Sequence, residues 1–223
     1  MEITLRAVTK AFGREVVLQD LDRTLPTGSR TVLLGPNGSG KSTLLQLIAG
    51  AVLPTRGQVI HRLGTGTIAD GEVYRHVSIA APYLNLYEEL SLRRAIELHH
   101  RLKPLQPGLD APAVARAAYL EHALDKPIAQ FSSGMKQRAR LALAVLSDTP
   151  LLLLDEPTGN LDAEGIAWFT RLVADHVRNR TLVVASNAQP QEHALCDQRI
   201  EVLNFKPPAR AARDGMTPPL GGS

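Results

Sequence analysis

The sequence predicts an α/β fold with a mostly parallel sheet, an antiparallel β subdomain at the N-terminal end and an inserted α-helical subdomain. Apolar runs typical of buried strands, each followed by an amphipathic stretch, occur near residue 30 and again after residue 150; this is the pattern of a parallel sheet covered by helices. The first 25 residues form two strand-like segments. Between residues 85 and 148 the apolar residues recur at helical spacing.

The N-terminal third is predicted to consist of strands and one helix. Residues 3–8 and 16–25 are apolar and β-branched enough to form the first two strands. Residues 30–35 (RTVLLG) form an apolar strand that ends in glycine, and residues 42–50 (STLLQLIAG) form an amphipathic helix closed by a glycine. Residues 54–80 are rich in Gly, Thr and Val, which indicates short antiparallel strands.

The remaining elements follow from helical periodicity and apolar runs. Helices are predicted over residues 90–102, 111–124, 137–148 and 163–177, and strands over residues 151–157 and 181–186. Residues 1–205 are thus expected to form one domain with a helical insert at about 85–148. Residues 206–223, rich in Pro, Gly and Arg, are expected to be a disordered tail.

The composition is that of an ordinary globular protein, with 44% hydrophobic and 21% charged residues among 223. A net charge of +3 and an aromatic content of 4% argue against a nucleic-acid partner. The single cysteine, Cys196, excludes an intramolecular disulfide and a cysteine zinc cluster. No apolar run approaches the roughly 20 residues that span a bilayer, so we expect a soluble chain whose membrane role, if any, comes through a partner.

A phosphate-binding loop is predicted at residues 35–42 (GPNGSGKS), which match G-x-x-x-x-G-K-[ST] between a strand and a helix. Glycines let the backbone approach phosphate closely, and the loop amides and the helix N-terminus face the anion. Lys41 adds charge for the outer phosphates, and the Ser42 hydroxyl can bind Mg²⁺. The alternative is a glycine-rich turn that carries a lysine by chance. The predicted nucleotide-binding residues here are Gly35, Pro36, Asn37, Gly38, Ser39, Gly40, Lys41, Ser42 and Thr43.

Two adjacent carboxylates end the apolar strand LLLLDEP at residues 151–157. Because successive strand side chains point in opposite directions, Asp155 and Glu156 can have different roles. Asp155 is predicted to hold Mg²⁺, and Glu156 to orient and deprotonate an attacking water. Acidic residues also end strands simply because strands end at the surface, and that is the alternative interpretation.

Taken together, GPNGSGKST, FSSGMKQRARLALA and LLLLDEPTGNLD resemble the nucleotide-binding domain of an ABC ATPase, in order and spacing, over about residues 2–203. The resemblance implies ATP and Mg²⁺ as cofactors and a homodimer or heterodimer of such domains that encloses two ATP molecules head to tail. Ser132, Ser133 and Gly134 of the signature segment would then contact the nucleotide bound to the other subunit. By itself, a serine there is also an ordinary helix N-cap.

Two further residues gain a role from the resemblance. Asp162 matches the loop that joins the sites of the two subunits. Phe12 matches the aromatic that stacks on adenine, although a phenylalanine before a glycine could equally pack against the sheet edge.

Two positions depart from the family pattern. The glutamine that normally precedes the helical subdomain is missing, and its position falls near Pro82. The histidine that normally ends the last core strand is replaced by Asn187, which can hydrogen-bond phosphate but cannot carry a proton or a positive charge. His193 is the histidine nearby and is expected to lie too far along the chain to substitute. Apart from the resemblance, Asn187 could simply be a turn residue after a strand.

The sequence therefore predicts the ATP-binding and ATP-hydrolysing subunit of an ABC transporter, cytoplasmic and held at the inner face of the membrane by a separate transmembrane permease. Glu156 and Asn187 are the expected catalytic residues, and Ser42 and Asp155 the expected metal ligands. Two alternatives stay open: a soluble ABC module of the assembly, repair or translation type, and a regulatory module that binds nucleotide but barely hydrolyses it.

Overall fold

The computed structural model describes residues 1–187 and 189–207. The described part contains nine strands and six α-helices, joined by short 3₁₀ turns. In chain order they are β1 (Glu2–Phe12), β2 (Glu15–Leu25), β3 (Arg30–Leu34), α1 (Lys41–Ile48), β4 (Arg56–Leu63), β5 (Gly66–Ile68), β6 (Val77–Ala80), α2 (Leu92–Leu102), α3 (Ala111–Ala117), α4 (Ser133–Leu146), β7 (Leu151–Asp155), α5 (Ala163–His176), β8 (Thr181–Ser186), α6 (Pro190–His193) and β9 (Gln198–Glu201).

The N-terminal strands form an antiparallel sheet in the order β2-β1-β4-β5. Ile3 lies between Leu25 of β2 and His61 of β4 in the register. The buried residues of β1 alternate with partly exposed ones over its first four residues, as expected for a sheet with one face on a core. This confirms the predicted antiparallel β subdomain.

The second sheet is parallel throughout, in the order β6-β7-β8-β3-β9. Every residue of β7 and β8 is buried, because both faces of these strands are covered. Leu152 and Leu154 face a core that includes α4 and α5. Leu151 and Leu153 face a second core shared with α1 and the antiparallel sheet. The main sheet therefore joins the two halves of the molecule and matches the predicted α/β class.

The strand order sets the position of the site. β3 and β7 both flank β8, so their carboxyl ends meet at one edge of the sheet. The loop after β3, the acidic end of β7 and the residue after β8 are therefore neighbours in space, although they are far apart in sequence.

Some predicted elements differ from the structure. Within residues 54–80, β6 is not antiparallel: it pairs in parallel with β7, with Val77 opposite Leu151, because the 3₁₀ turn Asp70–His76 carries the chain from one sheet to the other. The helix predicted over 111–124 ends at Ala117. There Tyr119 takes φ 58°, and the Leu120 N–H donates to the Ala115 carbonyl at 2.8 Å, the Schellman pattern that closes a helix.

The predicted domain limits remain predictions. The segment between β6 and β7 contains α2, α3 and α4, the elements expected of a helical insert. α6 and β9 had no counterpart among the predicted elements. Residues 208–223 of the predicted tail lie outside the described residues. No helix in the described ranges is long and apolar enough to cross a bilayer.

Candidate functional site

The loop between β3 and α1 wraps closely on itself before the helix begins at Lys41. Gly40 has φ 103°, a conformation that L side chains rarely adopt. A Cβ atom at Gly40 would also lie 3.0 Å from Cγ1 of Val17 and 3.2 Å from Cδ2 of Leu18. Both the backbone conformation and the packing against β2 thus require glycine at residue 40, in the turn that leads from the loop into α1.

The Lys41 ammonium is buried, with 5% of the residue exposed. It donates to the carbonyl oxygens of Gly35 at 2.7 Å and Pro36 at 3.1 Å, and to Oδ1 of Asn187 at 2.6 Å. An ammonium has three protons, so these three acceptors use all of them. The structure therefore brings the predicted phosphate lysine into direct contact with the residue that ends β8.

Asn187 joins that lysine to the predicted catalytic carboxylate. Its Nδ2 donates to Oε1 of Glu156 at 2.6 Å, while its Oδ1 accepts from Lys41. Glu156 has φ 47°, and its N–H donates to the Ala185 carbonyl of β8 at 2.9 Å. An imidazolium only donates, so it could not take both bonds. The amide of Asn187 can make both hydrogen bonds, because its oxygen accepts from Lys41 and its nitrogen donates to Glu156.

Asp155, the predicted metal ligand, is buried and has a carboxylate oxygen without a hydrogen bond. It is 3% exposed, and its Oδ1 has no hydrogen-bond partner among the residues that the structure describes. Burial raises the pKa of the Asp155 carboxyl, the negative charges of Glu156 and Glu192 add to this, and the Ser42 hydroxyl and Lys41 oppose it. A buried carboxylate oxygen without a partner beside a serine hydroxyl fits Mg²⁺, which takes hard oxygen ligands from one or two side chains together with phosphates. Within the described residues, no group of three or more His, Cys, Asp or Glu side chains is placed to hold a metal.

A cavity of about 430 Å³ opens beside the phosphate loop. Phe12 lies on its rim with 51% of the residue exposed, and Nζ of Lys10 lies 4.8 Å from the centroid of the Phe12 ring. An exposed ring at the mouth of a cavity beside the phosphate loop is suited to stacking on a base. The cavity is lined by Phe12, Glu15, Val17, Asn37, Gly38, Gly40, Lys41, Ser42, Thr43, Glu156 and Lys206.

The predicted signature residues lie elsewhere, around a separate cavity of about 360 Å³. Ser132 caps α4, where its Oγ accepts from the Met135 N–H at 3.2 Å. Asp162 caps α5 by accepting from the Gly165 N–H at 2.7 Å. This cavity is lined by Ser132, Gly134 and Asp162 among others, while Ser133 is exposed on the first turn of α4. No residue lines both this cavity and the one beside the phosphate loop. One chain therefore does not bring the two sets of predicted residues together.

The region of the missing glutamine holds an aromatic residue instead. Tyr83 follows β6, next to Pro82. Partial burial raises the pKa of the Tyr83 hydroxyl, although 44% of the residue is exposed, and the side chain of Gln46 of α1 opposes the rise. Gln46 lies one helical turn beyond Ser42, on the same face. A glutamine side chain, that of Gln46, is thus present near Tyr83, but it comes from α1 and not from the segment around Pro82.

Sequence reasoning gave no role to three polar residues near the site. Glu192 is buried and accepts from the Thr158 N–H at 2.9 Å and from its hydroxyl at 2.6 Å. His193, expected to lie too far away, lines a cavity of about 580 Å³ together with Asn187 and Pro36, because α6 folds back over the sheet edge. Lys206 lines the cavity beside the phosphate loop. All three lie after the last predicted strand and outside any motif, so the sequence carries no signal for their positions.

Comparison with known proteins gives consistent matches. A family model described as "ABC transporter" matches residues 18–159. The Nod factor export ATP-binding protein I of Rhizobium meliloti is 33% identical over 202 residues, which cover 88% of this chain and 60% of that protein. Among the Nod factor export proteins that it matches, the chain spans between 59% and 66% of their length.

Solved structures agree with these matches. The ATP-binding subunit of an ABC transporter superposes with a TM-score of 0.79 at 25% identity, covering 92% of this chain and 88% of that chain. The dimeric structure of a bacterial ABC transporter cassette gives a TM-score of 0.76 at 25% identity, covering 89% of this chain and 93% of that chain.

Proposed function

The chain belongs to the ABC transporter family, and from this premise we propose that it binds ATP with Mg²⁺, hydrolyses it, and so drives transport through a separate membrane subunit. The observation that carries the proposal is the hydrogen-bonded series Lys41–Asn187–Glu156 beside the buried Asp155. The series joins a phosphate-binding lysine to a carboxylate base across the end of one sheet, which is the arrangement that phosphoryl transfer to water needs.

In this proposal each residue acts on a different part of the reaction. Lys41 and the loop amides hold the outer phosphates, and Phe12 stacks on the base. Glu156 accepts a proton from the attacking water, and Asn187 keeps that carboxylate aimed at the phosphate loop. Asp155 and Ser42 would hold Mg²⁺, which neutralises charge on the phosphates when bound.

The second half of the nucleotide site would come from another cassette. The Ser132 hydroxyl and the N-terminus of α4 face outward around a separate cavity, and a hydroxyl with a helix N-terminus is suited to a phosphate. A head-to-tail dimer, of this chain with itself or with a related cassette, would place them against the phosphate loop of the partner. The exposed side chains of Tyr83, Leu84 and Tyr87 are available to a permease at the cytoplasmic face of the membrane.

The decisive experiment is ATP turnover by Glu156→Gln. We expect steady-state phosphate release to fall by about 100-fold or more, as for loss of a general base, while ATP binding is retained. Glu164→Gln makes the same chemical change at an exposed position of α5 and is expected to turn over like the wild type. Equal turnover in all three proteins would rule out Glu156 as the base.

One observation supports a second candidate, a nucleotide-binding regulatory module with little turnover. The residues near Pro82 include no glutamine, so Tyr83 and Gln46 occupy the region where the family pattern places that side chain. Tight ATP binding by the wild type without phosphate release, even with a membrane partner present, would favour this candidate over the transporter ATPase.

A further inference from the structure

The C-terminal segment returns to the phosphate loop. After β9 the chain makes a 3₁₀ turn over Val202–Phe205, and the next residue, Lys206, places its ammonium at the loop. Nζ of Lys206 donates to the Gly38 carbonyl oxygen at 3.2 Å. Gly38 lies in the middle of the loop, so this lysine approaches the same backbone that is proposed to hold phosphate.

Packing holds the segment that carries Lys206. Val202 is fully buried in the core shared with α1 and the antiparallel sheet, and Phe205 packs against the same core. The Arg23 guanidinium of β2 lies 5.4 Å from the centroid of the Phe205 ring, and the Lys206 N–H donates to the Leu203 carbonyl at 3.1 Å. The backbone of Lys206 is thus held next to β2, and its ammonium reaches the Gly38 carbonyl of the loop.

Lys41 and Lys206, the two lysines that line the cavity, differ in how many ammonium N–H groups are already used in hydrogen bonds. Lys41 donates to Gly35, Pro36 and Asn187 and has no proton left for a ligand unless one of these bonds opens. Within residues 1–187 and 189–207, Lys206 makes one side-chain hydrogen bond, to Gly38, and an ammonium can make two more. The exposed Lys206 ammonium at the cavity wall can therefore bind an anion without breaking its present hydrogen bond.

We propose that Lys206 is a second phosphate-binding lysine, contributed by the C-terminal segment, that contacts the polyphosphate chain of the bound nucleoside triphosphate. The inference rests on the proposed function, because it uses the same cavity. The ligand class follows from the surroundings: the phosphate loop, the N-terminus of α1 and the two lysines Lys41 and Lys206 line one cavity, and loop amides with a helix N-terminus and ammonium groups are a phosphate environment. Phe12 lines the same cavity and is left for the base.

Binding of ATP and of adenosine to the full-length chain tests the proposal, with isothermal titration at low and high salt. We expect Lys206→Gln to weaken ATP binding about three- to tenfold, the range for one partly solvated charge-assisted hydrogen bond. Added salt should reduce the difference because it screens the exposed charge. Lys206→Arg should bind ATP within about twofold of the wild type, since the positive charge is kept. Adenosine binding should be the same in all three proteins.

Lys126→Gln is the matched control, because Lys126 is also exposed and does not line the cavity. Unchanged ATP affinity in Lys206→Gln, or equal weakening of ATP and adenosine, would overturn the role in phosphate binding. Failure of the wild type itself to bind ATP would instead overturn the proposed function. Circular dichroism on each variant establishes that the fold is intact.

Discussion

Asn187 contacts both charged groups on which the proposed hydrolysis depends. Its amide accepts from the Lys41 ammonium and donates to the Glu156 carboxylate. These bonds fix the direction of the carboxylate without placing a titratable group between it and the lysine. Hydrolysis at this site is therefore expected to depend on the orientation of Glu156 and not on a protonation change at residue 187.

This gives a prediction for two variants of Asn187. In Asn187→Ala both bonds are lost, so we expect kcat for ATP to fall by about tenfold or more while KM stays within a few-fold, because orientation of the base matters most in the transition state. A neutral imidazole in Asn187→His can accept on one nitrogen and donate on the other, so we expect it to keep more activity than the alanine variant, and more at pH 8 than at pH 6.

Asn179→Ala removes the same amide from an exposed position and serves as the control. If Asn187→Ala turned over ATP like Asn179→Ala, Asn187 would be only a turn residue after β8.

Glu192 shows what sequence reasoning at the residue scale leaves out. The residues proposed for the phosphate loop and the acidic strand end could be picked out in the sequence because each set is contiguous and its spacing is fixed by backbone geometry; their roles remain predictions. Glu192 lies 34 residues from its partner Thr158, and a Glu in a polar stretch is exposed in most proteins. Only the folding of α6 over the sheet edge buries it.

We expect Glu192→Ala to lower the free energy of unfolding by about 2–4 kcal/mol, since the buried N–H and hydroxyl of Thr158 lose a charged acceptor. Thr158→Val removes the hydroxyl alone and should cost about 1 kcal/mol. Urea unfolding of both single variants and of the double variant measures the coupling between them. Gln191→Ala, an exposed neighbour on the same helix, is the control. An additive double variant would show that the two side chains do not interact.

At the scale of elements, the predictions succeeded where periodicity alone decides the structure. β8 was predicted over residues 181–186 and is observed there, because an apolar β-branched run buried on both faces has few alternatives. β6 and α3 were mispredicted because their outcome depends on distant partners: Leu151 pairs with β6, and the left-handed Tyr119 closes α3. Such contacts leave little trace in the local sequence.

The contact of α2 with the end of α4 makes a pH-dependent prediction. Nε2 of His99 lies 2.8 Å from Oγ of Ser147. Burial, with the nearby positive charges of Lys103 and His100, lowers the pKa of His99 to about 4, against about 6.5 in an unfolded chain. Below pH 6.5 the unfolded state therefore binds a proton that the folded state does not, so stability present above pH 6.5 is lost as the pH falls toward 4.

From pH 7.5 to pH 5 this single group should contribute a loss of at most about 2 kcal/mol, because each pKa unit is worth about 1.4 kcal/mol and His99 is not fully buried. Urea unfolding at several pH values, compared with His99→Gln, measures it. Burial also lowers the pKa of His61 and of His176, but these groups are common to both proteins, so the difference isolates His99. Parallel pH profiles for the two proteins would contradict the prediction.

At the scale of the whole molecule, the two cavities with predicted nucleotide contacts share no lining residue. One contains the phosphate loop, and the other the signature residues Ser132 and Gly134. The sequence motifs predicted both sets but could not show that the fold separates them, since their separation depends on how the helices between β6 and β7 pack. Under the proposed function, a complete site would therefore require a second cassette, and a two-fold dimer would supply two such sites.

Mixing two inactive variants tests this arrangement. Lys41→Ala disables the phosphate loop, and Ser132→Arg disables the signature, so a homodimer of either has no intact site. In the mixed dimer, one site combines both defects, while the other joins the intact loop of one chain to the intact signature of the other. An equimolar mixture forms mixed dimers half of the time, so about a quarter of wild-type ATP turnover should return. If the mixture stayed as inactive as its components, two copies of this chain would not complete each other's nucleotide sites.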